Sequence, residues 1–399
     1  QLNLNYPDKE ILDVKIDRLR DNLLIPEETV REIIVHLSSG RHVLLAGAIG
    51  TGKSALAKRL GRFWAESEPH DESAGGYDCQ EFSANNDWST QDVIGGIVPV
   101  LKSDGQEEGN GSVGYRYHEG CFLETLKKNL EVDNINNEPT WINWTKKGYL
   151  GTWLVIDELN RADIDKAFGP LLSALENGTL SVPDHPDEIY KNIPIPSYFR
   201  IIATLNTSDR HYLYKLSDAL KRRFAYVEIK SPEDDLREEE IASAYNSASV
   251  ASGLAKATDK HEPFSDIDDK LKPTLINAYQ FLVSIRSVKD LGTAVLKSIY
   301  QTILTGMVKG GLDGNSALDA ALTSNLIPQM DSLSEESLEM LSILYFEGEP
   351  VKSLDGIRGD ITKRERFQKE SDMLMRSMYV WNFDEKDARK ALYAAGRSG

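Results

Sequence analysis

Up to about residue 230 short apolar runs alternate with helical stretches; beyond it only helical periodicity remains. Val30, Ile33, Ile34 and Leu37 recur at helical spacing, with Pro26 at the opening turn and Gly40 at the close, so residues 1–40 are predicted helical. "HVLLAG" (His42–Gly47) is a continuous apolar run, the pattern of a buried strand, and "SALAKRLGRFWAE" behind it is an amphipathic helix. "YDCQEFSA" predicts a second strand, and "WSTQDVIGGIVPVL" a turn leading into a strand. "KSDGQEEGNGSVG" reads as a polar loop, and "YRYHEGCFLETLKKNL" as a strand that becomes a helix. Residues 131–150, with Trp141 and Trp144, have the polar character of an insertion. "TWLVIDELN" is a strand running into an acidic pair, "KAFGPLLSALENG" a helix stopped by Gly178, and "FRIIATLN" and "YVEI" are further strands. In "SPEDDLREEEIASAYNSA" Ser231 is expected to cap a helix, with Pro232 in its first turn and acids facing its positive end.

Composition narrows the class. The 399 residues suggest two to three domains, and the formal net charge of −17 argues against a broad surface for duplex nucleic acid. A local basic strip, such as one lining a pore, remains compatible with it. No apolar run approaches the roughly 20 residues that cross a bilayer, and the chain opens "QLNLNYPDKE" without a leader pattern, so its natural N-terminus is expected to be missing or processed. Cys79 and Cys121, far apart and without metal-ligand spacing, read as two reduced thiols of a cytoplasmic protein.

The chemistry starts at Gly47-Ala48-Ile49-Gly50-Thr51-Gly52-Lys53-Ser54-Ala55, which fits the phosphate-loop pattern G-x-x-x-x-G-K-[ST] between a strand and a helix. Glycines let successive N–H groups turn inward around an anion, and the following helix aims its positive end at the same point. Lys53 can reach terminal phosphates, and the Ser54 hydroxyl can hold Mg²⁺. Asp157 and Glu158 end a buried strand, where open α/β sheets carry their chemistry. Asp157 would hold Mg²⁺ through water, and Glu158 would orient the attacking water.

"LVIDELNRAD", "IIATLNTSDR" and "LSDALKRRFAYVEI", in that order after the phosphate loop, resemble the AAA+ ATPases of the MoxR and McrB-like, dynein-related branch. The resemblance covers roughly residues 25–230, with a weaker helical match beyond. It implies an α/β P-loop NTPase fold: an N-terminal helical segment or linker (1–40), a nucleotide-binding core with a parallel sheet (41–230), and an α-helical lid with C-terminal helices (231–399). It implies that Asn206 is a polar sensor of the γ-phosphate or attacking water, and that Arg222 or Arg223 is an arginine finger serving a neighbouring subunit. Arg161 and Asp209 would organise the same interface. "DWSTQDVIGGIVPVL…GYRYHEGCF" is similar to the branch's helix-2 insert and "LSVPDHPDEIYKNIPIPSYFRII" to its pre-sensor hairpin. A second-sensor arginine is missing from "RSVKDLGTAVL"; Arg286 or Lys289 could substitute, or the role could be absent. His118, His211 and the tryptophans read as structural.

From this follows an expected Mg²⁺-dependent NTPase working as a homo-oligomer, a hexamer by resemblance, with ATP as substrate and GTP open because "NTSDR" is similar to the signature of McrB-type GTPases. Two missions stay open: a McrB-like motor in defence with a separate nuclease, which is favoured, or a MoxR-like chaperone acting on a client protein. Nucleic acid would be reached through the partner or the pore, and no membrane is involved. A phosphotransferase is disfavoured by the acidic pair together with Asn206 and the twin arginines. A non-catalytic switch is disfavoured by the intact Lys53, Ser54, Asp157 and Glu158.

Overall fold

The computed structural model describes residues 9–20, 22–64, 76–101, 113–132, 139–141, 150–207, 218–232, 236–256, 263–286 and 289–330. Two helices come first, α1 (Lys9–Arg20) and α2 (Glu27–Ser38), followed by β1 (His42–Gly47) and α3 (Lys53–Leu60). The run from residue 76 adds β2 (Tyr77–Ser83), α4 (Thr90–Val93), the hairpin β3 (Gly95–Leu101) and β4 (Val113–Glu119), and α5 (Cys121–Lys127). Short strands β5 (Leu130–Val132) and β6 (Pro139–Trp141) pair antiparallel, and then come β7 (Gly151–Asp157) and α6 (Ile164–Asn177). The hairpin β8 (Thr179–Ser181) and β9 (Asn192–Pro194) precedes β10 (Ile201–Asn206), α7 (Asp218–Arg223) and β11 (Phe224–Ile229). Among the described residues after β11 come four α-helices, α8 (Arg237–Ala251), α9 (Lys272–Arg286), α10 (Thr293–Leu304) and α11 (Gly314–Ala321), with short 3₁₀ and π turns and no strand.

The chain divides into two compact units, Gln1–Gly47 with Lys53–Ile229, and Ala48–Gly52 with Lys230–Gly399. In the first, five strands form one parallel sheet in the order β11-β1-β10-β7-β2. Every residue of β1 is buried, as are the first six of β7 and the first five of β10. A parallel strand buried on both faces needs cover on both sides. Alternate residues sort accordingly. Leu44, Leu154, Ile156, Ala203 and Leu205 join a core with Phe122 and Leu126 of α5 and Phe168 and Leu171 of α6. Val43, Leu45, Trp153, Val155 and Ile202 join a second core with Ile16 of α1, Ile33 and Leu37 of α2, and Leu56 and Leu60 of α3. The N-terminal helices therefore belong to the packed core of this unit. Trp153 is fully buried, stacks on Tyr77 at 4.6 Å and donates its indole N–H to the Tyr198 carbonyl at 3.0 Å, so its large area counts as burial without an orphaned donor.

The second unit's described helices enclose their own core, with Leu275, Leu282, Leu296, Ile299, Tyr300 and Ile303 at its centre. A polar node is buried inside it. Glu240 has no exposed surface and accepts two bonds from Arg286, at 2.8 and 2.6 Å, and one from Thr293 Oγ1 at 2.7 Å. A buried carboxylate is tolerable when its lone pairs are filled in this way. The helix expected to start at Ser231 begins later: α8 starts at Arg237, with Leu236 in the capping position, while residues 233–235 lie outside the described residues and the Ser231 hydroxyl donates to the Leu291 carbonyl at 2.9 Å.

At "WSTQDV" the structure has a turn leading into a strand, as the sequence predicts, and the turn is helical. Ser89 and Asp92 form a reciprocal capping box that makes Thr90–Val93 a helical turn before β3. The polar loop at 102–112, most of the insertion including Trp144, and everything beyond 330 lie outside the described residues.

Candidate functional site

The carboxyl ends of β1, β10 and β7 lie side by side, with Gly47 paired to Asn206 and Ser83 of β2 paired to Asp157. This edge gathers most of the sequence-predicted residues. Gly50 and Gly52 both take positive φ, +82° and +89°, in the left-handed region that side chains avoid. Thr51 Oγ1 donates to the Ala48 carbonyl at 3.1 Å, fastening the turn from inside. Lys53 and Ser54 open α3, with Ala55 behind them, so N–H groups of the helix start face the loop. Lys53 is buried, and its ammonium donates to the Gly47 carbonyl at 2.8 Å, back across the mouth of the loop.

Ser54 Oγ donates to Asp157 Oδ1 at 2.6 Å. The same carboxylate oxygen accepts the hydroxyl of Thr204 at 2.5 Å, while Thr204 Oγ1 accepts the Glu158 N–H at 2.9 Å. Glu158 is left-handed, φ 54° and ψ 45°, a conformation a glutamate adopts at a cost of about 1–3 kcal/mol. Strand alternation would send Asp157 and Glu158 to opposite faces of the sheet; the turn at 158 breaks that alternation. Asn206 Nδ2 donates to Glu158 Oε1 at 3.3 Å, and Arg161 Nε pairs with Oε2 at 2.8 Å. The Asn206 N–H donates to Asn160 Oδ1 at 3.4 Å. Hydroxyl and carboxylate oxygens side by side are the hard donors Mg²⁺ accepts, and two protein ligands suffice for an ion that keeps its remaining places for phosphate and water. Among the described residues no group of three His, Cys, Asp or Glu side chains converges into an ion site.

The twin arginines part company. Arg223 is drawn inward, its guanidinium 2.6 Å from Glu176 and bonded to the Ala219 carbonyl at 2.8 Å. Arg222 is exposed, with no partner among the described residues. Asp209, Arg210 and His211 lie outside the described residues. Arg286 is committed to Glu240, and the Lys289 ammonium to the Gln329 carbonyl. The position at the start of α10 that touches the phosphate loop is held by Gly292: its N–H donates to the Ile49 carbonyl at 2.9 Å, and the Ala294 N–H to the Gly50 carbonyl at 3.1 Å. The β3–β4 hairpin exposes Ile97 and Tyr115, and Glu119 at its base pairs with Lys127.

Thr204 and Gly292 were not singled out in the sequence. Thr204 carried a signal, a hydroxyl inside the otherwise apolar "IIATL" two residues before Asn206. Gly292 carried none, because its contact lies some 240 residues away in the chain.

Residues 42–224 match the family of AAA domains described as the dynein-related subfamily. The chain is 29% identical over 220 residues to the Type IV methyl-directed restriction enzyme EcoKMcrB subunit of Escherichia coli (strain K12), a match covering 54% of this chain and 40% of that protein. It is 26% identical over 256 residues to the Type II restriction enzyme BsuMI component YdiS of Bacillus subtilis (strain 168), covering 54% of this chain and 67% of that protein. The chain thus spans well under half the length of the first relative and about two thirds of the second. A solved DNA polymerase III gamma subunit-related protein of Thermotoga maritima overlaps 93% of this chain and 100% of its own at 14% identity and a TM-score of 0.31, too low to bear on fold or function. Among the described residues no helix is long and apolar enough to cross a membrane.

Proposed function

We propose, from the premise that residues 42–224 are an AAA domain of the dynein-related subfamily, that the chain is a Mg²⁺-dependent nucleoside triphosphatase and the motor subunit of a restriction system. The carrying observation is the 2.6 Å hydrogen bond from Ser54 to Asp157, which joins the phosphate loop to the acidic strand end beside Glu158. Phosphoryl transfer needs charge stabilisation and an aligned nucleophile more than covalent chemistry from the protein. The loop N–H groups and Lys53 would hold the triphosphate. Mg²⁺, when bound, would neutralise the phosphate oxygens from Ser54 Oγ and Asp157. Glu158 would accept the proton of the attacking water, and Asn206, already bonded to that carboxylate, would fix its direction.

Arg222 is our choice for the residue lent to a neighbouring subunit, because it is exposed while Arg223 is occupied by Glu176. That role makes the site complete only in a homo-oligomer, for which a hexamer is the proposed state. ATP is the proposed substrate and GTP the alternative. The restriction reading is preferred to a chaperone because both relatives are parts of restriction enzymes. Cleavage would then fall to a separate nuclease partner, and the setting would be the cytoplasm.

The test is Mg²⁺-dependent phosphate release from ATP and GTP, without an added acceptor, across protein concentrations. The expected result is specific activity that rises with assembly, with Glu158→Gln retaining nucleotide while losing about a hundredfold or more in turnover. Failure to bind either triphosphate in the presence of Mg²⁺ overturns the proposal.

A further inference from the structure

We infer that Thr204 is a positioning residue of the hydrolytic site, its single hydroxyl setting both acidic residues at once. The inference rests on the proposed roles of Asp157 and Glu158. The β7–β10 ladder ends where Ala203 pairs with Ile156. One residue further on, backbone pairing stops and the Thr204 side chain takes over. It is 1% exposed, so its hydrogen bonds are made in a dry setting where their geometry is strictly held.

A hydroxyl has one hydrogen and two lone pairs. The Glu158 N–H can only donate, so at 2.9 Å it claims a lone pair of Thr204 Oγ1. The hydroxyl hydrogen is left for Asp157 Oδ1, 2.5 Å away. The direction of the relay is therefore determined: Glu158 N–H to Thr204, Thr204 to Asp157. One end anchors the left-handed residue that would orient the water. The other anchors the oxygen that Ser54 also reaches at 2.6 Å. Were Ser54 to give its oxygen to a bound metal ion, Thr204 would be the donor left on Asp157.

The β-branched side chain suits this task, because its γ-methyl limits χ1 and keeps the hydroxyl on station. Serine offers the same hydroxyl with a freer rotamer. Valine offers nearly the same shape and no hydroxyl, leaving the Glu158 N–H and Asp157 Oδ1 each short of a partner. A residue that merely filled space would be replaced by valine without consequence.

The experiment compares the full chain with Thr204→Val and Thr204→Ser. It measures kcat and KM for ATP and GTP, the Mg²⁺ concentration at half-maximal rate, and binding of a fluorescent ATP analogue with Mg²⁺ and with EDTA. For Thr204→Val the expected result is a fall in kcat of about tenfold or more and a raised Mg²⁺ midpoint. Analogue binding in EDTA should stay within about threefold of the parent, while the gain in affinity on adding Mg²⁺ shrinks. Thr204→Ser should return kcat to within about threefold. A valine variant with parental kcat and Mg²⁺ midpoint overturns the inference. So does a serine variant as impaired as valine, or a valine variant that loses metal-free binding and thermal stability together. Absence of turnover by the parent itself would overturn the hydrolase reading, whereas parental turnover beside an unaffected valine variant removes only the role of Thr204.

Discussion

Ser54 Oγ and Asp157 Oδ1 meet at 2.6 Å although 103 residues separate them in the chain. The bond ties the first turn of α3 to the end of β7, so the two oxygens a cation would use are registered before any cation arrives. Asp157→Asn keeps an acceptor oxygen but removes the negative charge. The expected outcome is nucleotide binding that no longer tightens with Mg²⁺ and turnover lowered about a hundredfold. Comparing nucleotide affinity in Mg²⁺ and in EDTA checks it; an unchanged metal response would contradict the role of Asp157.

The two neighbouring arginines should separate experimentally. Arg222→Ala should leave thermal stability and nucleotide binding as they are and lower turnover about a hundredfold or more, because its exposed guanidinium has no partner among the described residues and is proposed to serve a neighbouring copy of the chain. Arg223→Ala should instead lower stability, by about 1 kcal/mol or less given that Glu176 is largely exposed. Melting curves and rates for both variants decide between them, and equal rates for Arg222→Ala and the parent would remove it from the site.

A methyl group at position 292 would collide with the phosphate loop: a Cβ there would lie 2.1 Å from the Gly50 carbonyl carbon and 2.3 Å from the Thr51 nitrogen. Backbone atoms cannot step aside as a flexible side chain can. Gly292→Ala should therefore break the bonds from Gly292 and Ala294 to the loop, with a strain cost of about 1–3 kcal/mol or more. Weaker nucleotide binding, read by fluorescence titration, together with a lowered melting temperature is the expected result; parental affinity would contradict it.

Burial, aided by the nearby Arg200 and Arg223 charges, pushes the His42 imidazole down to about 3. The unfolded chain binds a proton there near pH 6.5, whereas the folded chain refuses it. The sign is therefore that stability is full above about pH 6.5 and is lost as pH falls from there towards about 3, by several kcal/mol in all. His42→Gln can still accept the Ile201 N–H that His42 Nδ1 takes at 3.1 Å, and it has no proton to gain. Urea midpoints from pH 7 to pH 5 should fall more steeply for the parent than for this variant, and parallel curves would refute the assignment.

Much of the first unit was legible because its signals are local. Four apolar residues, Val43 to Ala46, before three glycines and a lysine make a strand, a turn and a helix start without distant help, and the phosphate loop follows from them. The expected start of the next helix at Ser231 came too early: α8 begins at Arg237 with Leu236 at its cap, and the Ser231 hydroxyl donates to a carbonyl 60 residues away, a contact no local pattern announces. The Arg222-Arg223 pair could not be divided in the sequence, since two adjacent arginines look alike until one finds a carboxylate on another helix.

Taken alone, the order of residues determined the alternation of strands and helices before residue 230, the phosphate loop, the acidic pair at a strand end and the helical character of the described residues beyond, because periodicity, glycine freedom and short spacing act within a few residues. Tertiary structure decided that Thr204 links Asp157 to Glu158, that Glu240 takes up Arg286, and that Gly292 lies against Gly50. Each of these depends on a hydrogen bond or a contact of a few ångströms between segments distant in the chain, and the geometry of such contacts exists only once the sheet and the helices have packed.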